Sequence, residues 1–173
     1  MSWTQFLTDR KIRQHVTSST ELEALRAVIA RDLADAVIPD LSADRRFATA
    51  YNAILQTAKM VIACVGYRVA GLGHHQTTFE AVELAMGSSV APLVAYFDTC
   101  RRKRNMVDYD MANVTTDTEA EELVEEAHKF RQLAETWIVS NYPHLKPPTQ
   151  PNPGLKPRST WRSANRPSDR HLL

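Results

Sequence analysis

Phe47, Tyr51, Ile54, Ala58, Val61, Ile62 and Val65 follow one another at short, helix-like spacings, with no interruption before Gly66. In an α-helix these positions make one broad apolar face; in a strand they would scatter over both faces. A face of this length must be covered, and the remaining sequence supplies the covers. Leu22, Leu25, Ile29, Leu33 and Ala36 form a second stripe, and Leu93, Phe97 and Cys100 a third. Leu123, Ala127, Phe130, Ala134, Trp137 and Ile138 form a fourth. No alternating run of β-branched residues is flanked by turn residues, and glycine occurs only five times. Ala, Leu, Glu and Arg, which favour helix, recur at helical spacings. The expected fold is all-α, an up-and-down bundle of about five to six helices.

Local signals divide the chain. Residues 3–15 read as a short amphipathic N-terminal helix, and residues 1–17 as a segment of their own. Ser18 and Glu21 have capping-box spacing ahead of the stripe that begins at Leu22, and Pro39 lies beyond its end. Ser42 or Asp44 can cap the helix that carries Phe47. Residues 66–75 contain three glycines and read as a loop. Thr77 or Thr78 opens a helix that Gly87 closes, and Ser88, Ser89 and Pro92 start the next. Periodicity fails over residues 110–115. Thr116 and Glu119 then form a second capping box, with Asp117, Glu121 and Glu122 favouring the positive end of the helix dipole.

At 173 residues the chain has room for one well-packed domain, which these boundaries place over residues 18–145. A net charge of +1, with 43% apolar and 24% charged residues, carries no bulk signal for nucleic acid; any such signal lies in how the charge is distributed. Residues 146–173 hold six of the nine prolines, six Lys or Arg and one acid, Asp169. Such a segment buries too little apolar surface to offset its ordering entropy, so it reads as a disordered basic tail. Residues 1–16 mix charges with apolar residues and lack the continuous apolar core of a signal peptide. The longest apolar run, near residues 60–65, is too short to span a bilayer. Cys64 and Cys100 sit in apolar stripes and make no disulfide framework, as suits a reducing compartment. A cytoplasmic protein without membrane, metal or cofactor is expected.

The run Arg101-Arg102-Lys103-Arg104-Asn105 leads into Asp108, Tyr109 and Asp110. Arg104 continues the stripe of Leu93, Phe97 and Cys100, so its guanidinium points toward the core. A guanidinium keeps its charge at neutral pH, and partial burial calls for an anion, in the protein or in a ligand. Arg104 can hold a phosphate, Asn105 can orient a nucleophile, Asp108 can act as a base, and Tyr109 offers a hydroxyl. The same spacing also allows a plain intrahelical ion pair between Arg104 and Asp108. His74 and His75 can bring an imidazole or contact a base, or merely start a helix. Adjacent histidines seldom converge on one metal, and no Cys/His set has zinc spacing. Arg45 and Arg46 read as a solvated helix start, with Arg46 a lesser candidate for the Arg104 pocket.

This layout resembles HEPN domains (higher eukaryotes and prokaryotes nucleotide-binding). These are all-α bundles whose signature is an Arg followed a few residues later by a His, often with Asn after the Arg and Tyr shortly beyond the His. Arg104-Asn105 followed by Tyr109 resembles that frame. Arg46-Phe47 with Ala50-Tyr51-Asn52-Ala53 resembles the family's early helix, and Gly66-Tyr67-Arg68 with His74-His75 its central turn. The resemblance covers about residues 22–137. The sequence departs from it at one point: no His lies between Arg101 and Asp110, and Asp108 stands where it is expected. A carboxylate does not readily donate a proton near pH 7 and repels phosphate.

The resemblance implies a homodimer acting on RNA or a nucleotide, with Arg104, Asn105, Asp108 and Tyr109 as catalytic residues and Arg101, Arg102, His74 and His75 binding substrate. It implies a metal-independent endoribonuclease, the toxin of a toxin–antitoxin or phage-defence pair. The alternative it leaves open is a non-catalytic module that dimerises and binds nucleotide beside a nucleotidyltransferase partner, which would modify Tyr109.

Overall fold

The computed structural model describes residues 1–71, 74–109 and 113–148, with the side chains of residues 107–109 outside the described set. Among the described residues six α-helices form the all-α bundle: α1 Trp3–Thr8, α2 Ser19–Asp35, α3 Ala43–Cys64, α4 His74–Met86, α5 Ala91–Tyr109 and α6 Asp117–Asn141. Short 3-10 turns, Ser88–Val90 and Pro143–Leu145, precede α5 and follow α6. The long apolar stripe is the axis of the molecule. Helices α2, α4, α5 and α6 all pack against α3, and Ala50, Ile54, Ala58, Met60 and Val61 on it are sealed from solvent. No helix among the described residues is long and apolar enough to cross a membrane. Of the basic Pro-rich tail, residues 149–173 lie outside the described set.

The N-terminal helix stops at Thr8, short of the expected His15. Arg10 turns the chain with φ 55, and Lys11 N–H donates back to the Phe6 carbonyl at 2.9 Å. The next residues form β1, Ile12–Gln14, antiparallel to β2, Tyr67–Val69, with Ile12 opposite Val69 and Gln14 opposite Tyr67. The expected loop after α3 therefore contains a strand. Gly66, at φ 88, makes the turn out of α3 that aims β2 at β1. Trp3 stacks on Tyr67 with centroids 4.7 Å apart, and Phe6 and Ile12 enter the core, so the ribbon is anchored by packing as well as by its ladder.

The caps follow the sequence with two changes. Thr116 and Glu119 form the full capping box of α6. Ser18 caps α2 by accepting from the Glu21 N–H at 3.2 Å, but the Glu21 side chain leaves the box. Its carboxylate meets His15 at 2.7 Å, the Thr17 hydroxyl at 3.0 Å and Arg68 at 2.6 Å, since these donors on β2 and the chain before α2 outbid one backbone N–H. Helix α4 starts at His74, three residues before Thr77, and Thr78 donates to the His74 carbonyl within it. Arg26 pins α2 to α6 through a bidentate pair with Glu135, at 2.7 and 3.0 Å, and reaches the Leu145 carbonyl at 2.9 Å.

Ser42, rather than Asp44, caps α3. The Asp44 carboxylate instead accepts the backbone N–H groups of Asn113 at 2.6 Å and Thr115 at 2.7 Å, fastening the approach to α6 onto the start of α3. Burial raises its pKa, but those two donors outweigh burial and hold the carboxyl below its ordinary value. Its contribution is therefore present above the ordinary carboxylate range and is lost as pH falls through that range. Asp44→Ala is expected to lower unfolding free energy by about 1–2 kcal/mol at pH 7 and by less near pH 3, read by urea titration at both pH values.

Candidate functional site

The four cations of residues 101–104 diverge because successive residues on a helix point in different directions. Arg101 donates to Asp98 at 2.8 Å, and Arg102 lies 3.4 Å from the same carboxylate. Lys103 turns toward α6 and binds Glu119; that bond, with the Thr116 backbone donor, holds the Glu119 carboxyl down to about 2. Arg104 points the other way, part-buried as its stripe requires, into a groove between α2 and α3. The groove is lined by Asp32 and Asp35 from the last turns of α2 and by Arg45, Thr49 and Asn52 from α3. Asp32 is only 4% exposed, and its charge is met by Arg31, at 2.6 Å and 2.9 Å, and by the Asn52 amide. Asn52 is thereby fixed with its donor on Asp32 and its oxygen toward Gln56, 3.3 Å away.

His75, in the first turn of α4, stands on the other side of α3's Tyr51. Its Nδ1 is 3.3 Å from the Tyr51 hydroxyl, and the two rings lie 5.7 Å apart. Burial pushes its pKa down to about 4, helped by the positive fields of His74, Arg104, Lys59 and Arg101. The ring is therefore neutral at physiological pH. Tyr51 is 1% exposed, and burial raises its phenol well above the ordinary range, against the opposing fields of Arg101 and Arg104. Arg101 and Arg104 thus lie near enough to act electrostatically on both Tyr51 and His75. In the tautomer whose Nδ1–H donates to the phenol oxygen, Nε2 keeps the free lone pair that a general base needs; in the other, the phenol donates to Nδ1 and Nε2 carries the hydrogen.

The sequence-derived site is partly assembled. His75 contacts Tyr51, and the charges of Arg101 and Arg104 act on both, but neither ring lines the groove that Arg104 enters. Asn105 is exposed and does not line the groove. Arg102 is exposed beside Asp98 and Thr99. His74 contacts the His75 ring edge-on at 4.5 Å but faces a different cavity, so the two histidines do not share a site. The side chains of Asp108 and Tyr109 lie outside the described residues. Arg46 does not join the pocket: it pairs with Asp117 and lies 4.0 Å from Glu121, tying α3 to α6. Sequence reading named Tyr51 and Asn52 only within the early-helix resemblance, not as site residues, and missed Asp32, although Asp32 is a polar residue set within the Leu25 and Ile29 stripe.

The architecture defines the class: an all-α helical bundle with a mixed-charge groove where the ends of α2 and α5 meet the flank of α3. Comparison with known proteins gives no matching family model, no matching curated protein and no matching solved structure. No cluster of three His, Cys, Asp or Glu among the described residues is arranged to hold a metal ion. Cys64 and Cys100 are free and buried, and burial pushes both thiols up to about 11.

Proposed function

We propose that this chain is a HEPN-like domain that acts in the cytoplasm as a homodimer, binds RNA at the Arg104 groove and cleaves it without a metal, as the toxin of a toxin–antitoxin or phage-defence pair. The observation that carries the reading is the approach of Arg101 and Arg104 to a neutral His75 on a different helix. The imidazole missing from the segment after Arg104 is supplied from the start of α4. Arg104, with Arg45 at the rim of the groove, holds the scissile phosphate and offsets the charge that grows on it. His75 takes the proton of the ribose 2′-hydroxyl, and the resulting oxygen attacks the adjacent phosphorus. The 5′-oxygen leaves and takes a proton from water, giving a cyclic phosphate. Asn105, exposed at the same end of α5, contacts the rest of the substrate, and Asp108 and Tyr109 keep the catalytic roles that the HEPN resemblance implies.

Asp32 and Asp35 favour a second reading, because carboxylates in the groove oppose a polyanion. In that reading the domain binds a nucleotide or an RNA end without turnover, and a nucleotidyltransferase partner modifies Tyr109. One experiment separates the two. Purified wild type is incubated with labelled single-stranded RNA in excess EDTA beside Arg104→Ala. Cleavage by wild type that falls about a hundredfold or more in the variant supports the nuclease. Equal cleavage by both proteins overturns it. RNA binding that depends on Arg104, with no cleavage by either protein, favours the binding module.

A further inference from the structure

Toward the other end of the α2–α3 seam from the groove, a cavity of about 430 Å³ lies under the β-ribbon, between α2, α3, β2 and the start of α4. The larger part of its wall is apolar, with Leu25 from α2, Ile62 and Ala63 from α3, and Tyr67 and Val69 from β2, and Glu21, Arg68, His74 and Thr78 add polar groups. Among these side chains stands Lys59, one turn before Ile62 on α3. No hydrogen bond or ion pair from any described residue reaches its ammonium, and burial, with the neighbouring Arg68, lowers its pKa. The cavity's one other full cation, Arg68, is already neutralised: it donates to Glu21 at 2.6 Å, and Glu21 is also held by His15 and Thr17. Burial raises the Glu21 carboxyl, but those hydrogen bonds outweigh it and keep it ionised. His74 stands exposed at the mouth.

The charges in this cavity do not balance internally. Glu21 and Arg68 cancel, and Lys59 is left over. Partial burial of an unmatched ammonium is costly, and a protein that gained only packing from this position would place a Leu or Met there. One residual positive charge matches one negative charge, so a monoanion fits better than a dianionic phosphate. The apolar walls match a ligand whose body is hydrocarbon, and the volume is that of a small-molecule site.

We infer that the cavity beneath the β-ribbon is a binding site for a small organic carboxylate, its apolar body against Leu25, Ile62 and Val69 and its carboxylate on Lys59. The Tyr67 ring, fixed from behind by Trp3, supplies a flat wall that suits an aromatic body. His74 at the mouth can donate a second hydrogen bond to the carboxylate. The site is independent of the RNA reading, since neither Arg104 nor His75 lines it.

The test uses the full chain and two probes of equal shape, benzoate and uncharged benzamide. Amide chemical shifts are followed by NMR during titration of wild type, Lys59→Met and Lys59→Arg. Benzoate is expected to shift the amides of Lys59, Ile62, Val69 and Thr78 saturably, at least tenfold more tightly than benzamide. Lys59→Met is expected to lose that preference, and Lys59→Arg to retain most of it. Met is close to Lys in length and apolar, so its folding is checked by the unchanged shifts of α6 in the same spectra. Equal affinity for benzoate and benzamide, benzoate binding unaltered by Lys59→Met, or no saturable shift at these amides would each overturn the assignment.

Discussion

Replacing His75 with Gln is expected to lower metal-free RNA cleavage by about 10²–10⁴-fold while changing RNA affinity little. Gln keeps a polar group of similar reach beside Tyr51, so the start of α4 has a partner of the same kind, but an amide cannot accept a proton. The pH profile gives the second readout. A base must be unprotonated, and His75 is held near 4 by burial and by the surrounding cations. Cleavage should therefore rise with pH through about 4 and run flat from about pH 6 to 8. A free imidazole would instead produce a rise near 6.5. The same shift enters stability. Unfolded His75 takes a proton near 6.5, whereas the folded ring refuses it until about 4. That contribution is complete above pH 6.5 and is withdrawn as pH falls from 6.5 to 4. After allowance for solvent screening it amounts to about 1–2 kcal/mol, which His75→Phe should abolish in urea titrations at pH 7 and 4.5. Cleavage by His75→Gln at the wild-type rate would remove His75 from the chemistry, and a profile rising near 6.5 would mean that the base is not an imidazole held near 4.

The arrangement that makes this possible was only half legible in the sequence. Stripes such as Phe47 to Val65 and Leu123 to Ile138 are local and periodic, and the long helices α2, α3, α5 and α6 could be placed from them, whereas α1 and α4 have bounds the sequence reading missed. Arg104 could be oriented for the same reason, since it continues the line of Phe97 and Cys100. Ile12–Gln14 shows where such reasoning stops. Those residues become strand because β2 lies across from them, and nothing within a few residues of Ile12 encodes that pairing. The position of His75 is of the same kind. Its neighbours Tyr51 and Arg104 are distant in sequence, and only the packing of α4 and α5 on α3 brings the three together. Asp44 and Arg46 were read as ordinary helix-start residues, and both instead fasten distant segments, as polar residues near a helix end do when a loop or another helix crosses them.

Phe97→Ala is expected to cost about 3–5 kcal/mol of unfolding free energy. Phe97 is 0% exposed, and its ring lies 5.7 Å from Phe79 on α4 and 5.2 Å from Phe130 on α6. The ring is the apolar joint that holds α5 between two other helices. Truncation to Ala removes the transfer free energy of the ring and leaves a void that two large aromatic neighbours cannot close without leaving their rotamers. Phe97→Leu fills most of that volume and should cost less than half as much. Because Phe97 lies two turns before Arg104 on the same stripe, the loss should reach the groove as well. Urea unfolding reads the stability, and the His75 and Asn52 side-chain NMR signals read the site. A domain of this size is stable by only about 5–15 kcal/mol, so the Ala variant is expected to be partly unfolded at 37 °C if it starts at the low end. A loss below about 1.5 kcal/mol for Phe97→Ala would mean that α5 is held by contacts such as the Lys103–Glu119 pair to α6 rather than by this aromatic joint.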